Sequence, residues 1–165
     1  MESDEVIKTL RKCKLFCQLS EKELLSIANL GSIKEYEAGE VIYEQGILGT
    51  KLYVLSKGQV SLYRRIDLGN ARVAEATVYV LRENAQRRLL GGWCSLIGEQ
   101  HVQMCTARCD KQSKIVSLDC SDLRKIITNN PNIRLMVLEK LVLILRDRIE
   151  SSWKSCSARL NGKYI

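Results

Sequence analysis

The spacing of apolar positions changes twice along this chain. From Glu5 to Lys12, Val6, Ile7 and Leu10 recur at helical intervals, which predicts a short amphipathic helix. Leu15 and Phe16 dock the connection that follows. Ser20-Glu21-Lys22-Glu23 is a capping box, in which the Ser20 hydroxyl and the Glu23 carboxylate each satisfy an amide orphaned at a helix start. It predicts a second helix running to about Leu30 and burying Leu24, Ile27 and Ala28.

From Gly31 the pattern turns to short, partly alternating apolar runs: Ile33 to Tyr36, Val41 to Tyr43, Leu52 to Leu55, Val60 to Tyr63 and Thr77 to Leu81. Gln103 to Arg108 and Lys114 to Leu118 are further strands. Gly39, Gly46 and Gly58 fall between runs, as turn residues do. The polar stretch Ile66 to Glu75, with Gly69-Asn70 inside it, predicts a hairpin tip of unusual length. This many short strands describe an all-β body of the jelly-roll or small-barrel kind.

Helical spacing returns at Ser121 and runs through Ile127. The single proline, Pro131, then opens the longest regular element, with Asn130 as its cap. Asn132 to about Ser155 contains no Gly or Pro, and residues 133–145 are apolar nearly all round. One stripe of this helix covers the β body. Leu138, Leu141 and Leu145 form a second stripe at heptad-like spacing, which predicts either a protein partner, a homodimer being the simplest, or a domain that wraps most of the helix.

The chain reads as one domain over residues 1–165: N-terminal helices at 1–30, a β-roll at 31–119 and C-terminal helices at 120–165. With 165 residues and 45% hydrophobic content it can bury one sizeable core. No apolar run is long enough for a transmembrane segment, and the acidic start Glu2-Ser3-Asp4-Glu5 is unlike a secretory signal, so a cytoplasmic location is expected. The seven cysteines, at 13, 17, 94, 105, 109, 120 and 156, are odd in number and are expected as reduced thiols. With one histidine, His101, and no two-residue cysteine spacing, no metal site is expected. The net charge is +7, and residues 121–165 carry nine basic against four acidic side chains. Without interleaved aromatics, that charge reads as a solvated helix face rather than a nucleic-acid site. The sequence holds no G-x-S-x-G, no phosphate loop of the GxxxxGK type and no spaced metal ligands, so no enzymatic activity and no catalytic residues are expected. Asp119 and Asp122 read as strand-end and cap residues.

Three stretches carry a more specific resemblance. Leu15-Phe16-Cys17-Gln18-Leu19-Ser20 is followed by Leu24-Leu25. The second stretch is Tyr36-Glu37-Ala38-Gly39-Glu40-Val41-Ile42-Tyr43-Glu44-Gln45-Gly46, and the third is Leu52-Tyr53-Val54-Leu55-Ser56-Lys57-Gly58-Gln59-Val60. In residue type, order and spacing they resemble the opening helix and first strands of cyclic-nucleotide-binding domains. That family includes the catabolite activator, kinase regulatory subunits and gated channels. The resemblance implies a mainly β fold with flanking helices, a double-stranded β-helix (jelly roll) closed by a long C-terminal helix. It also implies a regulatory role, exerted through a small-molecule effector inside the roll.

In this family a phosphate-binding cassette resembling G-E-L-A-L, with a later R-x-A-T/S-V, holds the cyclic phosphate. Helix-start amides and the arginine neutralise the phosphate, and the glutamate accepts from the ribose hydroxyl. The matching stretch here is Gly92-Trp93-Cys94-Ser95-Leu96, with Gln103-Met104-Cys105-Thr106-Ala107 following. In this register the glutamate becomes Trp93 and the arginine becomes Gln103. A rival register, Gly98-Glu99 with Arg108, restores both residue types but breaks the strand that follows. The residues expected to meet a ligand are therefore Gly92, Trp93, Cys94, Ser95, Gln103, Met104 and Thr106, with the amides of 92–95 as anion donors. Cyclic AMP or cyclic GMP is the ligand the family implies, and its binding is expected to be weakened or lost. The alternative is a structural subunit that keeps the fold without the ligand and docks through the terminal helix. Relatives of the catabolite-activator type add a helix-turn-helix. The residues after Trp153 are too few for one, so no sequence-specific DNA binding is expected.

Overall fold

The computed structural model describes residues 2–161, with side chains from 3 to 154, so the Cys156 side chain and residues 162–165 lie outside the description. Helix α1 (Glu2–Lys12) leads to α2 (Glu21–Ala28). The capping box forms as expected: the Glu23 amide donates to Ser20 Oγ at 3.4 Å and the Ser20 amide to Glu23 Oε2 at 2.8 Å. Val6, Leu10, Phe16, Leu24 and Ile27 are all buried in the core beneath these helices.

Eight strands follow: β1 (Gly31–Tyr36), β2 (Val41–Tyr43), β3 (Lys51–Lys57), β4 (Gln59–Gly69), β5 (Arg72–Arg82), β6 (Leu89–Leu90), β7 (Thr106–Cys109) and β8 (Ser113–Asp119). They form two four-stranded antiparallel sheets, ordered β1-β8-β3-β6 and β2-β7-β4-β5. That order is the jelly roll, and the fold is the expected β-roll with flanking helices. Between β6 and β7 lies one 3-10 turn, Trp93–Ile97. Helix α3 (Cys120–Asn129) and the long helix α4 (Pro131–Asn161) complete the chain. Asp119 caps α3 by accepting from the Ser121 and Asp122 amides, and Asn130 caps α4 by accepting from the Asn132 and Ile133 amides.

Two strand expectations are corrected. Residues 66–75 are not a long tip: β4 and β5 stay paired down to Gly69↔Arg72, and Asn70 and Ala71, both with positive φ, form a two-residue turn. Both faces of this hairpin end are exposed, so no buried face marks it as strand. At the other site, only Thr106–Cys109 of the run 103–108 joins a sheet. Gln103 instead bonds its backbone to the 46–47 loop, donating to the Ile47 carbonyl and accepting from the Gly46 amide, each at 2.8 Å.

Two apolar clusters result. The larger lies between the helices and the first sheet and takes in Ile133, Val137, Leu141 and Ile144 of α4. The smaller fills the roll around Leu55, Val60, Leu81, Leu90 and Ile115. Leu141 is therefore core, at 7% exposure, and Leu138 and Leu145 are half-buried, with Leu145 packed against the core. The stripe that α4 leaves open is Leu135, Val142 and Ile149, at 61%, 65% and 69% exposure. Of the three residues in the predicted stripe only Leu141 is withdrawn into the core, because the roll claims the side of α4 that it occupies.

Candidate functional site

Two consecutive glycines in the left-handed region, Gly91 (φ +58) and Gly92 (φ +63), turn the chain out of β6 into the 3-10 turn. A Cβ on Gly92 would lie less than 3.0 Å from the Lys51 carbonyl oxygen, so glycine is required by conformation and by space. Leu96 plugs the turn into the core, and the Ser95 hydroxyl ties it to the Gly49 carbonyl at 3.0 Å. These anchors hold the indole of Trp93 at the mouth of the roll, below α4.

There Trp93 meets His101 edge to face, with centroids 5.0 Å apart. His101 and Gln103 are both buried, and His101 Nε2 donates to Gln103 Oε1 at 3.2 Å. Burial pushes the His101 pKa below its ordinary value, against the opposing pull of the Gln103 bond, so the ring is neutral at pH 7.

A cavity of about 290 Å³ opens beside them, near the lower end of the usual range for small-molecule pockets. Its walls come from β2 (Tyr43), β4 (Leu62, Arg64), β5 (Val78, Tyr79), the segment holding Trp93, Gln103, Met104 and Cys105, and α4 (Leu145, Arg148, Ile149, Ser152). None of these lining residues is acidic.

Of the expected ligand residues, the structure brings Trp93, Gln103 and Met104 together on this cavity. Cys94, Ser95 and Thr106 do not line it, and Gly92 serves the backbone turn. Ser95 faces a separate surface hollow and its amide donates to the Gly92 carbonyl, so it is not the anion donor expected of it. Thr106 Oγ1 accepts from the Gln45 amide at 3.1 Å on another face. The rival register fares worse. Arg108 points away from the buried Ala107 and Cys109, toward Glu75 at 3.5 Å and the Tyr63 ring, while Glu99 lies in the Ser95 hollow.

The residue that sequence reading missed is Arg148. Its guanidinium lies over the rings of Tyr79 (4.9 Å) and Trp93 (5.3 Å), and Nη2 donates to the Leu89 carbonyl. Nε and Nη1 are out of contact with solvent and have no acceptor among the described residues. Burial pushes its pKa down, and Tyr43, Tyr79 and Cys105 pull it back up. The neighbouring acid, Asp147, is engaged by Arg87 at 2.7 Å and Arg146 at 3.0 Å instead. One signal in the sequence could have found it: Arg148 continues, at helical spacing, the apolar line of Leu141 and Leu145, where a cation has little solvated face to occupy.

The sequence matches the family profile of the cyclic nucleotide-binding domain over residues 33–130, more than half of the chain. The chain belongs to the cyclic nucleotide-binding domain family. Over 124 residues it is 27% identical to a Rhodopseudomonas palustris protein described as a potassium channel; the match covers 72% of this chain and 26% of that protein. Among solved structures it resembles a cyclic nucleotide-binding domain from Methylobacillus flagellatus, with TM-score 0.72 and 18% identity, covering 99% of this chain and 84% of that one. It also resembles the sensor domain of the transcriptional regulator DNR from Pseudomonas aeruginosa, with TM-score 0.70 and 22% identity over 91% and 95% of the two chains. Among the described residues no helix is long and apolar enough to cross a membrane.

Proposed function

We propose that this chain is a non-catalytic regulatory domain of sensor type in which cyclic-nucleotide affinity has been weakened or lost. The observation that supports the reading is that Trp93 and Gln103, which the sequence register matches to the cassette glutamate and arginine, both line the cavity, and no carboxylate lines it to accept from a ribose hydroxyl. Each charge-assisted hydrogen bond removed is worth about 1.5–3 kcal/mol. Losing two weakens binding by roughly two to four orders of magnitude at about 1.4 kcal/mol per tenfold. The Trp93 indole further occupies space that a sugar would need. Calorimetric titration with cyclic AMP and cyclic GMP tests the reading: millimolar or absent binding is expected, and micromolar binding of either would refute it.

A second reading, an interaction subunit docking through α4, is favoured by one observation. Leu135, Val142 and Ile149 are exposed at seven-residue intervals, with Leu138 and Leu145 half-buried between them. This is an a/d seam of the coiled-coil kind. Light scattering at tens of micromolar should report a dimer that Val142→Asp dissociates; a monomeric wild type would exclude self-association through this seam.

A further inference from the structure

The cavity holds an uncommon combination of charge and burial. Arg148 carries two guanidinium nitrogens that are sealed from solvent and unmatched by any acceptor among the described residues. Buried charges are ordinarily paired or fully hydrogen-bonded, because desolvation penalises the bare ion. Among the described residues Nη2 donates to the Leu89 carbonyl, and the aromatic faces of Tyr79 and Trp93 supply further attraction. A second arginine, Arg64, stands in the lining on an exposed strand position. With two guanidinium groups and no carboxylate, the cavity has a positive potential that low-dielectric walls focus. The other walls, among them Tyr43, Leu62, Val78 and Met104, are apolar or aromatic.

We infer that Arg148 is the anion anchor of this domain, supplied by the C-terminal helix instead of the cassette, and that the cavity takes a small organic anion with a flat apolar body. The inference rests on the reading of this domain as a sensor and names the chemistry its cavity selects. The anionic group, a carboxylate or a phosphate ester, pairs with the Arg148 guanidinium once that side chain turns its two unmatched nitrogens from the rings of Tyr79 and Trp93 toward the cavity, and the apolar body lies along Leu62, Val78 and Met104. Arg148 is part of α4, so a ligand paired with it favours the docked arrangement of that helix over any other. In this arrangement the charge that binds the effector and the element that reports its presence are one residue.

The test uses the full chain and three probes of one shape: 1-naphthoate, 1-naphthyl phosphate and the neutral 1-naphthalenemethanol. Calorimetry should show at least one of the two anions binding about ten- to a hundredfold more tightly than the alcohol. The anion that wins distinguishes a carboxylate from a phosphate ester. Arg148→Met should abolish the preference, whereas Arg64→Gln should leave most of it. In the wild type, without any substitution, the bound anion should shift the Arg148 Nε–H signal in a nitrogen-proton correlation spectrum. That readout stands even if Arg148→Met fails to fold. Equal binding of alcohol and anions, a preference that survives Arg148→Met, or an unmoved Arg148 signal at saturation would each overturn the anchor. Cyclic AMP run alongside separates the two readings. Micromolar cyclic AMP that depends on Arg148 supports the anchor while refuting weakened nucleotide binding. Failure of both naphthyl anions and of cyclic AMP overturns the anchor and leaves the weakened-nucleotide reading standing.

Discussion

Replacing Gly92 with alanine tests whether the 3-10 turn that presents Trp93 is held by close backbone approach as well as by conformation. Gly92 has φ +63, and an alanine there costs about 1–2 kcal/mol for the left-handed backbone alone. The added methyl would also overlap the Lys51 carbonyl oxygen and press on Cys120 Sγ at 3.0 Å. Lys51 is held by β3 pairing with Asp119 on β8, so the turn is what has to move. Overpacking of this kind costs about 1–3 kcal/mol more. Gly46 supplies the matched control: its φ is +88, but a Cβ there meets nothing within 4 Å. Gly46→Ala should therefore pay only the conformational cost, and the gap between the two variants should be about 1–3 kcal/mol. For a chain of this size that is roughly 2–12 °C in the thermal midpoint. Urea unfolding with an unchanged slope gives the free-energy gap directly. Trp93 fluorescence in a Trp153→Phe background should shift for Gly92→Ala and not for Gly46→Ala. Equal destabilisation by the two substitutions, or an unmoved Trp93 emission, would refute the close-approach argument.

Two other outcomes follow from groups away from the cavity. Burial pushes the thiols of Cys13 and Cys120 up to about 12, about a thousandfold less thiolate at pH 8 than at their reference value of 9.0, whereas Cys17 is exposed. Iodoacetamide on the native protein should modify Cys17 first and reach Cys13 and Cys120 only on unfolding, and peptide mapping that found Cys13 labelled as fast as Cys17 would contradict that burial. The Ser20 hydroxyl, and after it the Ser20 amide, hold the Glu23 carboxyl below the usual carboxylate range, so the stability this cap adds is present above that range and lost as pH falls through the depressed value. Ser20→Ala should accordingly cost about 1 kcal/mol at pH 7 and progressively less toward pH 3 in urea unfolding, and a cost independent of pH would show that the reciprocal cap contributes nothing.

Much of the architecture is legible in local patterns, because those patterns are set by short-range physics. Ser20 and Glu23, Asn130 and Pro131, and the strand runs around Leu52 and Val116 each satisfy a backbone or burial requirement within a few residues. The β4–β5 hairpin is the instructive miss. Its outer half exposes Ile66, Leu68 and Val73, so no buried face marks it, and backbone pairing down to Gly69↔Arg72 keeps it extended. Of the residues expected at the site, Trp93, Gln103 and Met104 line the cavity. Ser95 and Thr106 are not separable from them in sequence, because which side of a turn or strand faces the cavity depends on how the sheets close.

By itself the sequence determined the roll and the caps of its helices. Only the tertiary structure decided that Leu141 is core, that Leu135, Val142 and Ile149 form the open stripe, and that Arg148 lies against Trp93 and Tyr79. The reason is that α4 is apolar nearly all round over its first half. Its rotation against the roll is chosen by the shape of a distant surface, and a difference of one residue in that docking turns the helix by about 100° and brings a different stripe to the surface.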